Sequence, residues 1–77
     1  MKISRIQNRL KRIEGQVRGV EQMVSLLRSP DEIIIQLSAI RSAVDSLILN
    51  IVDNEIELAD RERLFELKRI LKRLMRK

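Results

Sequence analysis

At 77 residues, with 44% apolar content but one aromatic side chain, Phe65, the chain makes a single small domain whose own core is marginal. It has neither Cys nor His, which excludes disulfides, thiolate nucleophiles, imidazole acid–base catalysis and the usual soft-metal ligands together, so the reading is of a protein that is no enzyme and carries no cofactor. The net charge of +5 points to an anionic partner, and aliphatic seams without aromatic mass point to a homo-oligomer that shares its core between copies.

The charge is divided along the chain. Residues 1–28 carry seven basic and two acidic side chains, residues 29–60 one and seven, and residues 61–77 eight and two. Both ends are cationic and the middle is anionic, a pattern that fits phosphate neutralisation with counterion release and equally fits solvated helix faces. No apolar run approaches the roughly 20 residues of a membrane span and the start is charged, so the expectation is a cytoplasmic protein with no membrane partner.

A first helix is predicted from about residue 4, capped by Ser4, to about residue 27. Its apolar residues Ile6, Leu10, Ile13, Val17, Val20, Val24 and Leu27 recur at intervals of three and four and form one stripe. Ser29, Pro30 and Glu32 then form a capping-box signature that opens a second helix, predicted from about 30 to 57. Its first half is apolar almost all round, wider than one partner helix covers, which makes it the centre of a multi-chain bundle. Asp60 is expected to cap a third helix, about 60–76, with Leu64, Leu67, Leu71 and Leu74 on one face.

The stretch from Arg9 to Gly19 sets Arg9, Arg12 and Arg18 beside the first seam. Arg5, Arg9 and Arg12 share a face and can meet successive phosphates or a base edge; spacing alone leaves open the alternative that they snorkel beside a core. Gly15 and Gly19 each cost a helix about 1 kcal/mol relative to Ala, and close approach by a neighbouring helix is the expected compensation. The basic third helix, with Lys68, Arg69, Lys72 and Arg73, is less specific, since a membrane-surface or partner-binding helix has the same pattern.

Arg9-Leu-x-Arg-Ile-x-Gly-Gln-Val-x-Gly19, followed by Gln36-Leu-Ser-Ala-Ile-Arg-Ser-Ala-Val-Asp45, closely resembles the CsoR/RcnR-like family of bacterial transcriptional repressors, over roughly residues 6–59. The resemblance implies an all-α, three-helix protomer. It implies that helices 1 and 2 of two chains form an antiparallel four-helix bundle, and that two such dimers form a tetramer that binds operator DNA without a helix-turn-helix. It also implies DNA-binding roles for Arg9, Lys11, Arg12, Arg18 and Arg41, although the residue after Asp45, frequently basic in relatives, is Ser46 here. The positions that hold the inducer-sensing thiols and imidazole in copper-sensing relatives read Pro30, Glu55 and Ala59.

Without those ligands, cuprous copper, nickel and thiol-directed inducers have no site of the family type. Asp31, Glu32 and Glu55 remain as candidate oxygen ligands for a hard cation, against the alternative that Asp31 and Glu32 complement the helix dipole. The combined reading of residues 1–77 is a single helical domain, a homodimer or homotetramer that binds double-stranded operator DNA. Arg5, Arg9, Lys11, Arg12, Arg18, Arg41, Lys68, Arg69, Lys72 and Arg73 are its expected contacts, and its metal site is lost. The rival reading is a helical oligomeric scaffold with only non-specific affinity for nucleic acid.

Overall fold

The computed structural model describes residues 3–76, which form three helices: α1 (Ile3–Ser25), α2 (Pro30–Leu58) and α3 (Arg61–Met75). The expected all-helical architecture holds, including Ile33, Ile34 and Ile35, whose β-branched run lies within α2. Helix α1 already includes Ile3, the first described residue, so Ser4 is helical instead of capping it, and the helix stops at Ser25, two residues short of the predicted end.

That early stop has a defined geometry. The Arg28 N–H donates to the Met23 carbonyl at 3.0 Å and the Leu27 N–H to the Val24 carbonyl at 3.1 Å, the paired bonds of a Schellman ending. Leu27 occupies the left-handed position, with φ 56°, where Gly is usual. Its apolar spacing continues the α1 stripe, yet its side chain projects outward and is 90% exposed.

Helix α2 begins as predicted. Ser29 has extended backbone, its hydroxyl accepts from the Glu32 N–H at 3.3 Å, and Pro30 takes the first helical position. The reciprocal half of the capping box is not made, because the Glu32 carboxylate instead accepts from Arg28 Nε at 2.7 Å. This hydrogen bond and the attraction between the charges lower the Glu32 pKa and raise that of Arg28. Asp60 caps α3 by accepting from the Arg63 N–H at 2.9 Å.

Helix α2 packs against α1 on one side and α3 on another, and α1 and α3 do not meet. Leu47 in α2 and Leu67 in α3, 6% and 5% exposed, are the buried hydrophobic residues. The protomer measures 51 × 31 × 12 Å, and its thinnest dimension is about the width of one helix with its side chains. Its radius of gyration of 16.1 Å exceeds the about 11.5 Å expected of a compact 77-residue domain. Its accessible surface of 6923 Å² is about 2000 Å² more than a folded monomer of its mass presents.

Leu67 is the buried anchor of α3, so Leu67→Ala should detach that helix: hydrogen exchange is expected to lose protection across 61–75 and keep it in α1 and α2. The Arg28–Glu32 contact gives a second expectation. Because the folded-state pKa of Glu32 is depressed, its stabilising contribution is present at neutral pH and lost as pH falls through that lowered value. In Arg28→Ala, a carboxyl titration by NMR should return Glu32 toward the ordinary glutamate range.

Candidate nucleic-acid interface

The packing of α1 on α2 gives the hairpin two unlike sides. Successive helical residues are rotated by about 100°, so the α1 stripe divides: Ile6, Ile13 and Val20 are partly covered by α2, whereas Leu10, Val17 and Val24 stay exposed on one side. On α2, Leu37 and Val44 remain exposed in the same way. A groove beside this apolar strip is lined by Leu10, Ile13 and Val17 together with Lys11, Glu14 and Arg18.

The other side is polar and cationic. Arg5, Arg9 and Arg12 lie there as a row, bordering three adjoining depressions: one with Ser4 and Asn8, one with Leu47, Asn50 and Asn54, and one with Gln16 and Ala43. Arg9 is the member tied to α2, its Nη2 donating to Ser46 Oγ at 3.0 Å. Among the described residues none of these three arginines forms an ion pair; the ion pairs present involve Arg28 and Arg63. Their charge is thus uncompensated by a contacting carboxylate.

The basic set expected from the sequence therefore does not form one surface within a protomer. Arg18 is about 180° around α1 from Arg9 and Lys11 about 160° from it, and both line the opposite groove. Arg41 is about 140° around α2 from Ser46. Lys68, Arg69, Lys72 and Arg73 belong to α3, which does not touch α1. Only Arg5, Arg9 and Arg12 are brought together, and Ser46, Asn50 and Asn54 join them although none carries charge. Periodicity on α2 places those three on one side, but only the docking of α1 reveals what they face.

The glycines also differ from expectation. A Cβ built at Gly15 or Gly19 meets nothing within 4 Å, so no helix of the same protomer approaches closely. Both lie round α1 toward Asn8 and Arg12, on the cationic side, by the helical rotation.

The three positions that resemble a sensing site have other roles here. Pro30 opens α2, and Ala59 ends it with extended backbone, its N–H donating to the Ile56 carbonyl at 3.2 Å. The Glu55 carboxylate lies 3.5 Å from Arg63 Nη2, whose Nη1 also reaches Glu66 at 3.1 Å. These residues supply neither thiolate nor imidazole, so they do not fit a soft or borderline metal ion of the kind such a site takes. Asp31 and Glu32 lie about 35 Å along α2 from Glu55, so the three carboxylates do not converge within a protomer. Among the described residues no group of three acidic side chains is arranged to hold a metal ion.

The protomer is thus a thin helical layer with an exposed aliphatic strip on one side and an arginine row on the other. Residues 2–76 match the family described as metal-sensitive transcriptional repressor, and the chain belongs to that family. It is 45% identical over 49 residues to the copper-sensing transcriptional repressor CsoR of Bacillus subtilis, covering 64% of this chain and 48% of that one. It is 40% identical over 48 residues to the copper-sensing transcriptional repressor RicR of Mycobacterium tuberculosis, covering 62% and 50%. The chain thus spans about half the length of these curated relatives. Its fold superposes on the nickel-responsive transcriptional regulator InrS with a TM-score of 0.82 and 34% identity, over 97% of this chain and 94% of that one. No helix among the described residues is long and apolar enough to cross a membrane.

Open space at the glycine Cβ positions yields a direct expectation. Gly15→Ala and Gly19→Ala should each raise stability by up to about 1 kcal/mol in urea denaturation, through helix propensity and lower unfolded-state entropy. A loss of DNA affinity in the same variants, with stability raised, would place the glycines in the bound interface.

Proposed function

We propose that this protein is a DNA-binding transcriptional repressor that acts in the cytoplasm as a homo-oligomer, most simply a dimer of dimers, and does so without a thiol- or imidazole-based metal site. The observation that carries the reading is the placement of Arg5, Arg9 and Arg12, without contacting carboxylates, on the side of the α1/α2 layer opposite its exposed aliphatic strip. One side is suited to pairing with a second copy while the other is left free for DNA.

The apolar residues support assembly beyond a single pairing. Leu10, Val17, Val24, Leu37 and Val44 make the strip that a second hairpin would cover to complete a four-helix bundle. A separate row on α2, Ile35, Leu49 and Ile56, recurs at multiples of seven residues with Ser42 between, away from α1, and is also exposed. The stripe that buries Leu67 continues along α3 into exposed Ile70, Leu74 and Met75. Two uncovered rows on different sides of α2 favour a tetramer over a dimer.

In this reading Arg5, Arg9 and Arg12 contact phosphates across successive helical turns, with Arg9 oriented by Ser46. Arg18, Lys11, Arg41 and the basic residues of α3 contribute where the assembly brings them alongside DNA. Any effector acts by binding two quaternary states with different affinity, and the family's soft-metal chemistry is not what supplies that difference.

Binding to the protein's own promoter region and to scrambled DNA across a salt series tests this reading. A preference of about 10³ or more for the promoter is expected, and Arg9→Ala/Arg12→Ala should lower the slope of log K against log salt by about 2 for each protomer in contact with DNA while sedimentation shows assembly unchanged. Lys11→Ala/Arg18→Ala should reduce the slope less. Equal affinity for promoter and scrambled DNA would instead indicate a sequence-blind cationic scaffold.

A further inference from the structure

On the cationic side, the N-terminal part of α1 and the C-terminal part of α2 enclose a cleft of about 300 Å³, the volume of about ten water molecules. Two pairs of residues spaced i, i+4 face each other across it: Arg5 and Arg9 from α1, Asn50 and Asn54 from α2, above an aliphatic floor that includes Leu47 and Ile51. No carboxylate lines it.

The polar groups are mostly donors. Arg9 spends one N–H on Ser46, and a guanidinium carries five. Asn54 Nδ2 donates to the Asn50 backbone carbonyl at 2.9 Å, which holds that amide while leaving it a second N–H. The Asn50 side chain makes no hydrogen bond among the described residues. Two cations, two amides and no anion, over an apolar floor that excludes water on one side, match a tetrahedral oxyanion better than any cation or neutral ligand.

We propose that this cleft is a phosphate seat, in which Arg5 and Arg9 supply charge, Asn50 supplies a neutral donor, and Ser46 is a positioning residue that fixes the Arg9 guanidinium. The phosphate belongs either to the backbone of bound DNA or to a small phosphorylated molecule. The seat rests on the reading that sets Arg5 and Arg9 against phosphate and adds the α2 amides to it, but it requires no operator preference, so the two can fail separately.

The experiment follows the side-chain amide signals of Asn50 and Asn54 in the full-length ¹⁵N-labelled protein during titration with sodium pyrophosphate and, separately, with a short scrambled duplex. Saturable shifts of both amides with either probe are expected. Shifts with pyrophosphate alone assign the seat to a small phosphorylated ligand. Shifts with DNA that pyrophosphate reverses assign it to the nucleic-acid backbone.

Asn50→Asp, an exposed and nearly isosteric change whose folding circular dichroism would check, should weaken binding of the active probe about tenfold or more. Ser46→Ala should weaken it less and Ser46→Thr should restore it, as expected of a hydroxyl that orients Arg9. Gln7→Ala, in the groove on the opposite side, should have no effect. Amides unmoved by both probes, or shifts that do not saturate and survive Asn50→Asp, would overturn the proposal whatever the promoter measurement shows.

Discussion

A layer one helix thick cannot bury its own aliphatic residues, and that constraint governs the rest of this structure. With Phe65 as its sole aromatic residue and α3 docked on α2 alone, no element among the described residues folds back over the hairpin. Leu47 and Leu67 are shielded within the protomer, while Leu10, Val17, Leu37 and Val44 are left for another surface to cover. One side of the hairpin thus carries the exposed aliphatic strip, bordered by Lys11, Glu14 and Arg18, and the row of Arg5, Arg9 and Arg12 lies on the other.

The elements and their junctions were legible because each rests on local chemistry. The three-and-four spacing in α1, the Ser29-Pro30-Glu32 start and the Asp60 cap act within one or two turns, and all three appear in the structure. What was hidden is the rotation of α1 about its axis when it meets α2. A count of residues shows that Arg9 and Arg18 point in opposite directions, but not which of them joins the α2 side chains. Ser46 reads in the sequence as a missing cation; in the fold it holds the Arg9 guanidinium. The Glu32 side chain, assigned from the sequence to the capping box, is taken instead by Arg28 through a charge-assisted bond at 2.7 Å.

The same distinction applies to the positions that resemble a sensing site. Read as remnants, Pro30, Glu55 and Ala59 look like three independent losses. In the structure they share an architectural character: one opens α2, one closes it, and one holds α3 to it through Arg63. An exposed ion pair of this kind contributes about 0–1 kcal/mol. It links the second and third helices across a two-residue joint, Ala59 and Asp60.

The surplus of about 2000 Å² of accessible surface on the isolated chain also has a thermodynamic meaning. If association covers it, folding and assembly become one equilibrium, and the melting temperature acquires a dependence on protein concentration that a self-sufficient domain lacks. Dilution then acts as a mild denaturant. The amount of chain a cell makes would set both how much protein is available and what fraction of it is folded, so the fraction in the working state rises more steeply than the total.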